Sequence, residues 1–313
     1  MVGVSLGEHG LMNKHLISVN QFDREGLTRL FDLAHRLEHA QLDVTFSHKC
    51  VSTNLFYEPS TRTSSSFASA MYKLGGSVIN INDVSFSSVS KGETLEDTIQ
   101  VMSGYSDVIV LRHSEQGAAT RAAKVSSVPI INAGDGVGEH PTQALLDLYT
   151  IHKHFDLNKP LHVALVGDLK HGRTVHSLLQ LLRLYDVHVH LVSPEGFEMP
   201  AHLVQLQDRL HRDLWGCLQE VDVIYMTRVQ WERLGNHKPQ NTAYGITLEQ
   251  MHLAKPSMIL MHPLPRLSEL PTLLDADPRS VYFEQTRNGL WIRQAIFVNL
   301  FGREPLCWSP HPK

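Results

Sequence analysis

Short runs rich in Val and Ile alternate with amphipathic stretches along almost all of the 313 residues, and that alternation constrains the fold most. The expected strands are Val51–Tyr57, Ser77–Ile81, Asp107–Arg112 and Val128–Asn132. A second set follows at Leu161–Val166, Val187–Val192, Val221–Thr227, Ser257–His262 and Val281–Phe283. Several carry apolar residues on both faces, as strands buried in a parallel sheet do. Helical stretches between them make βαβ units, which build open sheets covered on both sides. The expectation is an α/β chain of two doubly wound parallel-sheet domains. Helix Thr142–Phe155 closes the first set and leads into Asp156-Leu157-Asn158-Lys159-Pro160, a turn-rich junction that marks the boundary. The domains then run over 1–155 and 156–289. A final amphipathic stretch, Leu290–Leu300, packs back on the first, so that about 290–313 complete it.

A chain of this length supports two full cores. The net charge of −4 and a pI near 6.6 argue against a nucleic-acid partner, which calls for a basic field. Cys50, Cys217 and Cys307 share no close spacing, so neither a disulfide framework nor a zinc knuckle is indicated. With no leader and no apolar run of bilayer length in the sequence, the expected location is the cytoplasm, with no membrane partner.

In open α/β sheets, ligands bind beyond the carboxyl ends of the strands, and the polar clusters fall there. Ser60–Thr63 follow the first strand, Arg112-His113 end the third, and Glu139–Gln143 follow the fourth. Gly167–Thr174, Thr227–Gln230 and His262–Arg266 follow strands of the second set. Three expected helices open on a cation: Arg62, Lys91 just before Gly92-Glu93-Thr94, and Arg173. A helix N-terminus already carries unpaired N–H groups and about half a positive charge. A cation there is unfavourable unless an anion binds between them. The pattern points to small, highly negative substrates.

Three motifs invite other readings. Gly167-Asp168-Leu169-Lys170-His171-Gly172-Arg173-Thr174 resembles a P-loop with Arg for Lys, but lacks a partner Asp for Mg²⁺. Arg173 suits a bidentate clamp on a carboxylate better. Gly134-Asp135-Gly136-Val137-Gly138 lacks dinucleotide spacing and reads as a flexible turn placing His140. His35-Arg36-Leu37-Glu38-His39 matches a zinc-protease pattern, yet Leu27, Leu30, Ala34 and Leu37 form the buried stripe and leave both histidines on the solvated face. No metal site follows from it.

Together, Phe56–Thr63, Lys91–Thr94, Asn132–Gly136 through His140-Pro141-Thr142-Gln143, Gly167–Ser177 and His262–Arg266 resemble the aspartate transcarbamoylases, in the right order from about residue 15 to about 303. The likeness extends in particular to the catalytic domain of the multifunctional pyrimidine-synthesis polypeptide of animals. Ser-Thr-Arg-Thr and His-Pro-Thr-Gln belong to all transcarbamoylases, whereas Thr227–Gln230 and Pro263, where an ornithine enzyme would carry Cys, resemble the aspartate branch.

The resemblance implies a carbamoyl-phosphate-binding first domain, an aspartate-binding second domain, and no metal or organic cofactor. It implies that Ser60, Thr61, Arg62 and Thr63 hold phosphate. Thr63, Arg112 and His140 would polarise the carbamoyl oxygen, and Gln143 would grip the carbamoyl amide. Arg173 and Arg228 would clamp the aspartate carboxylates with Gln230, and the Pro263 and Leu264 carbonyls would orient the amine beside a cis Leu264–Pro265 bond. Glu58 and Glu269 are expected to hold arginines. Ser87 and Lys91, in a polar loop, would reach the neighbouring site of a homotrimer, Lys91 touching both substrates.

Each residue has a plainer reading: an N-cap for Ser60 or Thr63, a core histidine for His140, a surface ion pair for Arg228, a solvated lysine for Lys91. Two features depart from the family, Trp231 in place of Lys and the Leu234–Tyr244 stretch. Arg303–Trp308 is expected to be a linker, with fusion to or association with other pyrimidine-pathway domains. Two alternatives stay open: transfer to another amino acid such as ornithine, whose cation two arginines would repel, and an inactive homologue acting as scaffold.

Overall fold

The computed structural model describes residues 15–42, 44–46, 50–82, 92–232 and 244–301. Two compact units divide the chain, Met1–Leu145 with Asn288–Lys313, and Leu146–Arg287.

In the first unit, strands β1 (Val51–Phe56), β2 (Ser77–Ile81), β3 (Val108–His113) and β4 (Ile130–Asp135) form a parallel sheet ordered β2-β1-β3-β4. Helices α1 (Arg24–Glu38), α2 (Thr61–Lys73), α3 (Leu95–Ser103) and α4 (Ala118–Val125) accompany it. Leu27, Leu30, Phe31, Ala34 and Leu37 form the buried face of α1, whose Asp23 cap accepts from the Gly26 amide at 2.7 Å. Strand β1 buries polar side chains that bridge to other elements: Thr53 meets Ser106 at 2.5 Å, and Asn54 donates to the Ser64 carbonyl and to Asn80 Oδ1, while the buried Ser52 hydroxyl finds no partner among the described residues.

Strands β5 (Leu161–Val166), β6 (Val187–Val192), β7 (Arg209–His211), β8 (Val223–Met226) and β9 (Ile259–Met261) form the second parallel sheet, ordered β7-β6-β5-β8-β9. Its unit holds α6 (Arg173–Leu182) and α7 (Leu248–Leu253). Helices α5 (Pro141–His154) and α8 (Tyr282–Leu300) contain the two points where the chain passes between units. The division therefore falls inside α5, ahead of the 156–160 junction, because the α5 side chain Asp147 already belongs to the second unit's core. It accepts from Tyr225 Oη at 2.6 Å and Gln285 Nε2 at 2.7 Å.

Two elements differ from expectation. Val281–Phe283 is no strand: the chain makes a single bridge, Leu260 to Ser280, and then enters α8 at Tyr282. A three-residue apolar run does not distinguish strand from helix. β7 escaped the pattern because it is a three-residue edge strand with Leu210 exposed. The end of α8 is also not amphipathic, since Ile292–Val298 are all buried. This part of the helix packs on α2: Phe297 meets the Phe67 ring edge at 5.8 Å, and Arg293 lies over that ring while bonding Ser66 Oγ.

Candidate active site

Both sheets have a switch point where the strand order reverses, β1/β3 in the first and β5/β8 in the second. Loops leaving such strands at their carboxyl ends diverge and open a crevice.

At the first, α2 begins directly after β1. Its N-cap, Ser60, makes no side-chain cap bond, and its first turn holds no acid. The cap-only reading of Ser60 thus fails. Thr63 is buried, and Thr61 and Arg62 are exposed. Arg62 forms no ion pair among the described residues, and the influence on its guanidinium is desolvation, which lowers its pKa. By contrast, α1 and α3 have side-chain caps and first-turn acids, and the Gly117 amide ahead of α4 donates to Asp135. The bare start of α2 differs from those of α1 and α3, while α4 likewise has neither a side-chain cap bond nor a first-turn acid.

Arg112, next to last in β3, stands opposite Phe56 of β1. Its Nε lies 3.4 Å from Glu58 Oε2 and its Nη1 donates to the Ala133 carbonyl, so Glu58 does hold an arginine. His140 is buried, and its carbonyl accepts from the Gln143 and Ala144 amides as α5 begins. The turn before it is tied by side-chain hydrogen bonds. Asp135 Oδ1 accepts from the Glu139 amide and from Asn132, and Asn132 Oδ1 accepts from the Gly134 amide. Glu139 accepts from Ser18 Oγ at 2.6 Å and the Val19 amide at 2.8 Å; burial raises its pKa despite both. Gly136 has φ +56°, and a Cβ there would lie 2.5 Å from the Ser114 carbonyl oxygen, so glycine alone fits.

The helix expected to open beside Lys91 begins later. Helix α3 starts at Leu95 with Thr94 as cap and Glu96 and Asp97 in its first turn, which complete its N-terminus without an anion. Ser87 and Lys91 lie outside the described residues.

At the second switch point, Gly167 leaves β5 with φ +116°, where a Cβ would lie 2.3 Å from the Thr227 carbonyl oxygen. Asp168 is buried and accepts from the His171 amide at 3.0 Å, from the His171 ring, and from Gln230 Nε2 at 3.1 Å. An amide that a P-loop would give to phosphate is thereby taken by Asp168. Arg173 is half-buried at the first position of α6, whose Gly172 cap has no side-chain bond and whose first turn holds no acid. Arg228 Nη2 donates to Glu232 Oε1 at 2.7 Å, the ion pair of the plainer reading. Trp231 packs edge-on against buried Phe197 at 5.3 Å.

After β9, Pro263 and Leu264 are half-buried, Leu264 has φ +55°, and the Leu264–Pro265 bond is cis. His262 fixes this turn: its Nδ1 accepts from the Leu264 amide and its Nε2 donates to Glu269. Glu269 therefore holds a histidine and the Leu267 amide, not an arginine. Burial opposes its ionisation, yet these donors leave its pKa below the ordinary range. Arg266 is paired with Asp275.

Asp135, Glu139, Asp168 and Glu232 were missed as partners of the site. Their sequence signal was only an acid beside a glycine, a motif residue or an arginine.

Among the described residues, three groups bring potential metal ligands within 4.8 Å of one another: His35/Glu38/His39, His190/His211/Cys217 and His162/His190/Glu220. The first lies on the exposed face of α1. In the others, His162 Nδ1 meets His190 Nε2 at 3.1 Å, and His190 Nδ1 meets His211 Nε2 at 3.1 Å. Burial, with His211 and His162 alongside, holds the His190 pKa down to about 4, and burial pushes the Cys217 thiol up to about 12. No described helix is long and apolar enough to cross a membrane.

Residues 14–153 match the family "Aspartate/ornithine carbamoyltransferase, carbamoyl-P binding domain", and 159–300 match "Aspartate/ornithine carbamoyltransferase, Asp/Orn binding domain". The chain is 44% identical to "Multifunctional protein CAD" of Squalus acanthias over 96% of its own length, but spans only 14% of that relative. It is 44% identical to the aspartate carbamoyltransferase catalytic subunit of Archaeoglobus fulgidus, covering 91% of this chain and 98% of that one. Aspartate transcarbamoylase from Trypanosoma cruzi, solved in complex with carbamoyl phosphate, superposes with a TM-score of 0.85 at 43% identity, covering 91% of this chain and 95% of that chain. With both family domains matched, the chain belongs to the aspartate/ornithine carbamoyltransferase family, alongside the aspartate carbamoyltransferases.

Proposed function

We propose that this chain transfers the carbamoyl group of carbamoyl phosphate to the amine of L-aspartate, yielding N-carbamoyl-L-aspartate and phosphate for pyrimidine biosynthesis. Residues 1–155 with 290–313 take carbamoyl phosphate, and 156–289 take aspartate. The observation that carries this reading is the pair of bare, arginine-bearing helix starts at α2 and α6, each following a switch-point strand.

Phosphate oxygens fit the amides of Ser60–Thr63 and the Arg62 guanidinium. The aspartate amine attacks the carbonyl carbon, a C–N bond forms, and the carbonyl oxygen becomes an oxyanion. Thr63, Arg112 and His140 stabilise that charge, while Gln143 orients the carbamoyl amide. Collapse breaks the bond to the bridging oxygen, and phosphate departs with the proton shed by the amine. Arg173 and Arg228, with Gln230, hold the aspartate carboxylates, and the Pro263 and Leu264 carbonyls accept from the amine. No step calls for a metal or organic cofactor.

Phosphate release from carbamoyl phosphate should require aspartate and fail with ornithine. Release with ornithine alone, or with neither, would overturn the assignment.

Family likeness supports a cytoplasmic homotrimer in which Ser87 and Lys91 serve a neighbour's site, the chain being fused to or associated with other pyrimidine-pathway domains. Mixing inactive Arg62→Ala and Lys91→Ala chains should restore activity in verified mixed trimers; none restored would remove the sharing.

A further inference from the structure

We propose that His190, His211 and Cys217 form a zinc site that ties the edge strand β7 to β6 and to the turn that follows β7. His211 and Cys217 are six positions apart, His190 lies 21 positions before His211, and none belongs to the substrate loops. His190 lies in β6 beside Arg209 of β7, His211 ends β7, and Cys217 closes the short 3-10 turn Leu214–Gly216. Potential ligand atoms of all three lie within 4.8 Å of one another.

The donor set and spacing suit zinc. Two imidazoles and one thiolate are borderline-to-soft ligands of the kind zinc takes, whereas magnesium and calcium prefer oxygen. Nitrogens about 2.0–2.1 Å from a tetrahedral zinc stand roughly 3.3 Å apart. His190 Nδ1 and His211 Nε2 are already 3.1 Å apart. The second His190 nitrogen, Nε2, faces His162 Nδ1. A zinc-bound imidazole needs such an outer partner for its remaining N–H. His162 supplies it from β5, so the site is supported from three adjacent strands. Cys217 is buried in an apolar cluster with Val192, Leu214 and Met251, where its sulfur has only a 3.7 Å contact to the Leu214 carbonyl. Cys217 also lines a cleft with Trp215 and Glu220, and three protein ligands leave the fourth tetrahedral position to water.

Binding displaces one proton, from the Cys217 thiol, and moves the His211 proton to Nδ1, so that its Nε2 lone pair faces the metal. Without metal, two N–H···N bonds can instead join the three imidazoles head to tail, His190 giving one and accepting the other. The site would reinforce a strand that has only three residues in the ladder.

The test uses the full chain, stripped with a chelator and titrated with Zn²⁺ and Co²⁺. One zinc per chain should bind with a rise in Tm. The Co²⁺ form should show a sulfur-to-cobalt charge-transfer band and the intense visible absorption of a tetrahedral site. Cys217→Ser should abolish the charge-transfer band, and His162→Ala should weaken zinc binding about 10- to 100-fold. Joint replacement of His35 and His39 by Gln should leave the signature intact. No zinc uptake, or a charge-transfer band surviving in Cys217→Ser, would overturn the proposal. X-ray absorption on the zinc-loaded unaltered chain decides independently of variant folding: one sulfur and two imidazoles support the site, and a shell of only nitrogen and oxygen refutes it.

Discussion

The Arg228 guanidinium donates to Glu232 four residues on, at 2.7 Å, so the group assigned to an aspartate carboxylate already holds one of the protein's own. A substrate carboxylate must displace it. An exposed pair of this kind contributes about 0.2–1 kcal/mol. Glu232→Gln should therefore lower the aspartate KM by roughly 1.5- to 5-fold with little change in kcat. Steady-state kinetics at saturating carbamoyl phosphate measure this, and an unchanged or raised KM would mean the pair does not compete with substrate.

Asp168 reaches no substrate in the proposed chemistry, yet it orients Gln230 and the loop ahead of Arg173 through three bonds. Asp168→Asn sets an NH₂ group against a donor in a buried place. The expected effect is a rise in aspartate KM of about tenfold, exceeding any fall in kcat, from a loss of one to a few kcal/mol. The Km for carbamoyl phosphate should hold steady, which separates local positioning from general unfolding.

Arg62→Ala removes an exposed cation that has no ion-pair partner among the described residues. Its stability should stay within about 0.5 kcal/mol of the parent in urea melts. Its turnover should fall on the order of 10²-fold or more, the usual cost of losing a preorganised donor at a developing charge. A folded variant with near-parent turnover would remove Arg62 from the site.

Glu284 Oε2 meets His154 Nε2 at 3.1 Å, and Lys153 Nζ lies 3.2 Å from Oε1. The His154 bond foremost, with the charges of both neighbours, lowers the Glu284 pKa to about 2. The folded form thus binds this proton more weakly than the unfolded chain does. Its stabilisation is present above the ordinary value of 4.5 and is lost as pH falls toward about 2. Glu284→Gln should melt earlier than the parent near neutral pH, the gap narrowing across that acidic window. A constant gap from neutrality down to pH 3 would contradict this.

Much of the architecture was legible because β2, β3, β5 and β6 are dense in Val, Ile and Leu and long enough to declare their period. β7 was not, being an edge where arginine and histidine flank one leucine. The positions of Arg62, Arg112, His140 and Arg173 at strand ends could be anticipated, since the switch-point rule needs only strand order. What holds them could not. Glu139 meets Ser18 across 121 positions, and Asp135 serves amides on both sides of its turn. Such acceptors carry no local mark. The helix that follows Lys91 was expected to open on a cation, whereas α3 opens on the Thr94 cap with acids in its first turn. Glu269 was expected to hold an arginine, whereas in space His262 is its donor. His190 meets His211 and Cys217, which are six positions apart, only because β6 pairs with β7.

The unfinished first turns of α2 and α6 link the protein's lifetime to its diet. An anion seated there stabilises only the folded chain, so that contribution rises and falls with metabolite supply. Where proteolysis follows the fraction of opened molecules, scarcity of those anions would hasten degradation. A tightly held mimic of both would arrest catalysis and, by the same contact, preserve the catalyst.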